Sequence, residues 1–288
     1  MSTAKLNYKK KKNPFGSILF YGFCTIVAIA FIFPLVWSLV TSLKPAAEAS
    51  ASPPTFLPSR LSLENFAYLA NYSIGIFAYV LNSLIVAVIT VSGTVVLSVL
   101  AGYGFSRFEF PGKNIFFLIV LTTLMIPFQS ILTPLFILLR VIHLQNTLLG
   151  LGLVYITFQI PFAVFMMRNA FESVPRELEE AALLDGCTPL TLLTHVMLPV
   201  VLPGVITVGL FAFFASWNEF LAALIFMSDS EKFTLPVMLL NAQSQIFGAI
   251  NWGAMEAGLA ITMIPCAVIF LLLQRNYSGG VGQNKACR

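Results

Sequence analysis

Six stretches of this chain are long and apolar enough to cross a bilayer, and that feature leaves few folds open. They lie at about 18–40, 77–100, 115–137, 148–167, 203–226 and 257–273, and the only charged side chain in any of them is Glu219 in the fifth. A hydrocarbon core of about 30 Å needs about 20 apolar residues per helix. Backbone groups in lipid are satisfied only in helices or closed barrels, and these runs lack the short alternation of barrel strands. The sequence therefore predicts an all-α polytopic membrane protein with six transmembrane helices. Only 10% of the 288 residues are charged, against roughly 25% in a soluble domain. The longest connections, about 41–76, 168–202 and 227–256, leave little chain for a soluble unit. Residues 1–288 read as one transmembrane domain.

Orientation follows from Lys and Arg, which are retained on the cytosolic side. With the N-terminus inside, twelve of the sixteen fall on inner segments, and only Lys44, Arg60, Arg140 and Lys232 fall outside. Both termini and the 168–202 connection are thus expected in the cytosol, and the chain in the cytoplasmic membrane. The net charge of +4 then reports topology, and a nucleic-acid partner is not expected. "KKKK" at 9–12 before an apolar run imitates a secretory signal. The run is near 23 residues and holds Pro34 and Trp37, too long for a cleaved signal core, so it reads as a retained first span. Cys24 and Cys266 fall within spans, and Cys187 and Cys287 on the reducing side, so no disulfide is expected.

The first outer loop (44–69) reads as an ordered loop with a short helix. The turn "GYGFSRFEFPGKN" (102–114) is short and basic. Pro34, Pro127, Pro134, Pro161, Pro203 and Pro265 lie in or beside spans, where each removes a backbone hydrogen bond and permits a kink. Such prolines suit a bundle that bends, although proline is also commoner in membrane helices generally.

Against this background "ELEEAALLDG" (177–186) stands out as an acidic, alanine-rich helix. Pro175 falls in its first turn, where its missing N–H costs nothing, Glu177, Glu179 and Glu180 lie near the positive end of its dipole, and Gly186 is placed to end it. Thr188–Pro189 supplies an N-cap and a first-turn proline, so a second short helix is expected over Leu190–Met197, stopping at Pro199. Ala181 and Ala182 give one face little bulk, allowing another protein to approach the backbone closely, while the acids offer partners for Lys or Arg. The competing reading is an amphipathic connector on the membrane surface. Interfacial helices favour Lys and Arg, whereas this segment is acidic.

"EEAALLDGCTPLTLLTHVMLP" (179–199) resembles the Glu-Ala-Ala signature of ABC-importer permeases. "NSLIVAVITVSGTVVLSVLAGYGFSRFEFPGK" (82–113), "IPFQSILTPLFILLRVIHLQNTLLGL" (126–151), "ASWNEFLAALIF" (215–226) and "FTLPVMLL" (233–240) are similar in order and spacing to the carbohydrate branch, the maltose-transporter type. The tail at 274–288 departs from the usual ending of that branch. The resemblance implies the type I ABC importer permease fold, with a cytosolic coupling loop at about 171–200 that docks on an ATPase. It assigns the coupling to Glu180, Ala181, Ala182, Asp185, Gly186 and Pro199. It also implies a second permease in a heterodimer, two ATPase subunits or domains using ATP and Mg, an extracytoplasmic solute-binding protein, and a sugar substrate.

The chain holds no phosphate-binding loop, since "PGKN" at 111–114 has the wrong spacing, and no cofactor is expected on it. His143 and His195 are isolated, so no metal site is expected, and no catalytic set can be assembled. Polar groups in or near spans usually face a partner or a cavity, making Asn82, Gln129, Gln159, Asn218 and Glu219 candidates for the translocation pathway; helix-to-helix hydrogen bonding is the alternative. Gln243, Gln245 and Trp252, in an uncharged polar loop, are candidates for contact with a binding protein. An ion-coupled secondary transporter is the alternative function. It would show repeated halves and buried ionisable groups, and only Glu219 is embedded.

Overall fold

The computed structural model describes residues 14–243 and 250–282. Among these, five helical stretches are long and apolar enough to span a membrane. They are α1 (Pro14–Ser42), α4 (Ile76–Arg107), α7 (Leu148–Glu172), the run Pro189–Asn218, and α13 (Trp252–Gly282) over Trp252–Leu272. A sixth crossing exists only if a bent pair is counted as one. α9 (Pro189–Thr191) and α10 (Leu198–Asn218) make up most of the run Pro189–Asn218, and the shorter elements are α2 (Ala46–Ala49), α3 (Glu64–Ala70), α5 (Lys113–Thr122), α6 (Phe128–Val141), α8 (Arg176–Leu184), α11 (Leu221–Phe226) and α12 (Leu235–Ala242).

The expected third span, 115–137, is not one helix. The segments Lys113–Met125 and Phe128–Val141 meet at 103°. The cause is local: a residue before proline is driven out of the α region, and Ile126, preceding Pro127, is extended at φ −79°, ψ 120°. By contrast Pro34, Pro134, Pro161, Pro203 and Pro265 all lie inside helices.

A second correction falls at Pro199. Helix runs from Pro189 to Asn218 without a stop, because a π-helical turn over Leu192–Met197 joins α9 to α10. Pro199 thus enters where the regular ladder is already interrupted, and its missing N–H breaks nothing further. At the far end of this run the helix stops at Asn218 and Glu219 is extended, so Glu219 stands in a break between α10 and α11, not inside a span.

α4 is the centre of the bundle, packed along α7 and α10, while α1 packs on α13. Small side chains permit the closeness: a Cβ added at Gly102 would lie 2.6 Å from Met167 Cβ, so α4 and α7 are nearly in backbone contact there. At one end of the bundle, Val99, Tyr103, Met167, Phe171, Leu193 and Met197 form a buried cluster. At the opposite end, Leu69, Tyr79, Trp217, Leu235 and Met238 form another. The loop after α1 is ordered, as expected: buried Asn65 on α3 donates Nδ2 hydrogens to the carbonyls of Ser42 and Lys44 at 3.0 and 2.8 Å.

Candidate functional site

The acidic helix is α8. Pro175 is its N-cap residue, one place ahead of the first turn, and Gly186 follows it at φ +81°. The left-handed turn is open: no atom lies within 4 Å of a Cβ built at Gly186. Thr188 then caps the next helix, its Oγ1 accepting from Thr191 N–H at 3.3 Å with Pro189 in the first turn.

The two alanines face opposite ways. Ala181 is exposed, whereas Ala182 is 8% exposed and belongs to the buried cluster with Leu192, Leu193 and Met197. Ala182 is therefore a packing contact between α8 and its own bundle, and the expectation of an open surface at this position is corrected. The acids divide in the same way. Glu177, Glu180 and Asp185 are exposed, but Glu179 turns inward, its Oε1 3.1 Å from Arg107 Nε, with side chains 14% and 7% exposed. That contact is electrostatic without hydrogen-bond alignment. Arg107 makes its aligned bond elsewhere, Nη2 donating to the Val174 carbonyl at 2.7 Å. Around Ala181 the outward face is greasy: Leu178, Leu183, Leu184 and Leu190 are all exposed, Leu184 to 88%. Three of these leucines lie on the charged helix and Leu190 on α9, and together they form a surface without a cover among the described residues.

Arg107 is the residue that sequence reasoning overlooked, counting it only as a positive flank of the 102–114 turn. The first half of that turn is helix, because α4 runs on to Arg107. At about 1.5 Å per residue its 32 residues reach about 48 Å, beyond a core of about 30 Å.

The second region of interest is a cavity of about 900 Å³ at the break between α5 and α6, whose lining includes Ile126, Pro127, Phe128, Tyr155, Gln159 and Glu219. Phe128 and Phe158 meet edge to face at 4.2 Å. Glu219 Oε2 accepts from the Tyr155 hydroxyl at 2.7 Å and, with Oε1, from the N–H groups of Ala222 and Ala223 at 3.0–3.2 Å. A carboxylate at the start of a helix satisfies otherwise orphaned donors and meets the positive end of the dipole. The break in the chain and the acid stabilise each other.

The remaining pathway candidates do not converge there. Asn82 donates to the carbonyls of Glu231 and Phe233 at 2.8 and 3.0 Å, a structural staple. Asn218 is exposed, lines a separate recess and bonds back to the Phe214 carbonyl. Gln129 is exposed and does not line the cavity. Gln243 is half-buried beside Asn218 in that recess, and its carbonyl accepts from Asn251 N–H. Trp252 opens α13 and is 44% exposed. Gln245 lies outside the described residues.

A helical bundle with a broken crossing, a mid-chain acidic helix with an exposed face, and an open pocket at the break is the architecture on which the likeness to known proteins bears. The chain belongs to the family of binding-protein-dependent transport system inner membrane components, which residues 94–282 match. YurM of Bacillus subtilis (strain 168), a probable ABC transporter permease, is 35% identical over 272 residues, 94% of this chain and 89% of that protein. AraQ of Halalkalibacterium halodurans, an arabinooligosaccharides transport system permease, is 33% identical over 276 residues, covering 95% and 97%. MalG of Thermococcus litoralis, a trehalose/maltose transport system permease, is 33% identical, covering 89% and 91%. In fold the chain is similar to a chain in the crystal structure of a bacterial ABC transporter involved in the import of the acidic polysaccharide alginate, with TM-score 0.80 over 93% of this chain and 98% of that one, at 20% identity. The protein is a multi-pass membrane permease of an ATP-driven importer, and the ion-coupled alternative finds no support among its relatives.

Proposed function

We propose that this permease carries a sugar or oligosaccharide inward across the cytoplasmic membrane, and that α8 is the helix through which a separate ATPase drives it. The observation that carries the reading is the outward face of α8: Leu184 at 88% exposure beside exposed Ala181, Glu180, Asp185 and the open glycine turn at Gly186. Leucines supply the apolar core of a docking patch and the acids its rim, the usual anatomy of a protein interface. The Lys and Arg distribution supports a cytosolic side for that face. In this reading the partner binds ATP with Mg and hydrolyses the ATP, which the lack of a phosphate-binding loop in this sequence supports.

The sugar assignment is supported by the relatives AraQ and MalG, named for arabinooligosaccharides and trehalose/maltose. It is also supported by a cavity that pairs aromatic edges with Tyr155, Gln159 and Glu219, the mix of apolar wall and few polar groups common in small-molecule sites. A second permease in a heterodimer closes the pathway, and an extracytoplasmic binding protein meets the opposite end near Gln243 and Trp252. The test is Ala181→Trp, which should leave the permease in the membrane and remove the co-purifying ATPase together with labelled-oligosaccharide uptake. An ATPase that still co-purifies, with uptake intact, would return α8 to the role of a surface connector.

A further inference from the structure

Four of the five long spans contain a proline: Pro34 in α1, Pro161 in α7, Pro203 in α10 and Pro265 in α13. α4 has none across its 32 residues. A proline-free helix keeps its full backbone hydrogen-bond ladder, and α4 runs as one unbroken helix through its Ser92–Gly93 pair, so α4 is the least interrupted member of a bundle that otherwise can bend. Both of its ends are tied by side chains to elements far away in sequence. At Arg107 it holds the turn into α8 through the Val174 carbonyl, and α8 itself through Glu179. At the other end, Asn82 holds the carbonyls of Glu231 and Phe233, and the buried Ser83 Oγ accepts from Leu235 N–H, the first residue of α12, at 2.8 Å. Asn82 and Arg107 are separated by about 38 Å of continuous helix.

We propose that α4 is a rigid strut joining the docking helix α8 to the segment that enters α12, with Arg107 and Asn82 as the positioning residues at its two ends. The inference rests on the docking role of α8 given above and adds the route from α8 to the opposite face. A displacement of α8 is delivered to α4 through a short-range ion pair and a hydrogen bond to a carbonyl. The unbroken helix then carries it to the residues leading into α12, while the proline-bearing spans absorb the bending. The direction reverses equally well, since a coupling between two sites is reciprocal. Occupancy at the α12 face would therefore be sensed at α8.

The test uses the full importer, purified with its partner permease, ATPase and binding protein, and reads the ratio of binding-protein-stimulated to basal ATP hydrolysis. Arg107→Ala and Asn82→Ala should each lower that ratio, on the order of tenfold for Arg107, with ATPase still present in the complex. The double variant should be no worse than the more severe single one, because either break already disconnects the strut. Exchanging the charges with Arg107→Glu and Glu179→Arg together should recover part of the ratio lost in Arg107→Glu alone, which a general packing defect would not do. Effects that multiply in the double variant, or a ratio unchanged by Arg107→Ala, would overturn the strut. Should Arg107→Ala fail to assemble, Asn82→Ala and the charge exchange decide by the same ratio. If the unaltered permease itself retains no ATPase, the docking reading fails, and the strut falls with it.

Discussion

The two ends of the bundle are closed by different means. At the end remote from α8 the loops are stitched to the spans by dedicated polar groups. Asn65 holds the carbonyls of Ser42 and Lys44, Asn82 those of Glu231 and Phe233, and Asn146 accepts from the N–H groups of Ser228 and Asp229. Lys44, 1% exposed, donates to the Thr55 carbonyl and lies over the Trp37 ring at 4.8 Å. At the α8 end the inner face is held by Ala182 and the Arg107–Glu179 pair, while the outer face leaves three leucines of α8 uncovered, with Leu190 of α9 beside them. Loops stitched in this way hold their shape through their own bonds, even though Asn65 Oδ1, Thr41 Oγ1 and Thr234 Oγ1 are buried without a partner among the described residues. A helix fixed on one face and greasy on the other is half of an interface.

The largest effect that would sharpen this contrast comes from two adjacent alanines. Ala182→Trp puts an indole into a packed cluster beside Leu193 and Met197, and overpacking typically costs about 1–3 kcal/mol, more when the change is this large. The expected outcome is loss of folded permease from the membrane fraction, in contrast to Ala181→Trp on the exposed face. Equal permease levels in the two variants would mean that α8 has no inner face.

Gly186 gives the next effect. No atom lies near its missing Cβ, so any penalty there is backbone strain from φ +81°, about 1–3 kcal/mol for a residue forced into the left-handed region. Gly186→Val should reduce uptake severely through a misaimed α9, whereas Gly186→Asn, which tolerates that region, should retain most of it. Uptake that falls equally in both would point to a steric contact with the partner instead of strain in the turn.

These residues also mark how far the sequence could be read. The spans were legible because a bilayer imposes a length, and the turn at Gly186 and the cap at Thr188 were legible because each is a local rule. The break in the third apolar run was not legible, because proline inside a helix and proline at a break look alike in sequence; Ile126 leaving the α region distinguishes them. The phase of α8 was hidden for another reason. Apolar residues ordinarily mark the buried side of a helix, but Leu178 and Leu184 face outward while the charged Glu179 faces in. Helical spacing does place Glu179 and Ala182 on one face and Leu178, Ala181 and Asp185 on another. Choosing which face is inner required knowing that Arg107 waits there.

The smallest effect belongs to the opposite end, where Glu48 latches the loop after α1. Its carboxylate accepts from Ser59 Oγ at 2.6 Å, from Ser59 N–H at 3.1 and 3.2 Å, and from Thr55 Oγ1 at 2.9 Å. The hydrogen bonds from Ser59, then that from Thr55, with a smaller pull from the Lys44 charge, hold its pKa below the ordinary 4.5. A carboxylate lowered in the folded state contributes stability that is fully present above its unfolded value and is lost as pH falls through the folded one. The latch should therefore be intact at neutral pH and loosen only below about pH 4.5. The group is solvent-exposed, so the loss is confined to the loop. Hydrogen-exchange protection of the Ser59 amide in the purified permease should drop across that window, and Glu48→Gln should flatten the dependence while leaving ATPase association at neutral pH untouched. Protection that stays constant down to pH 3 would show that the loop is held by Lys44 and Asn65 without help from Glu48.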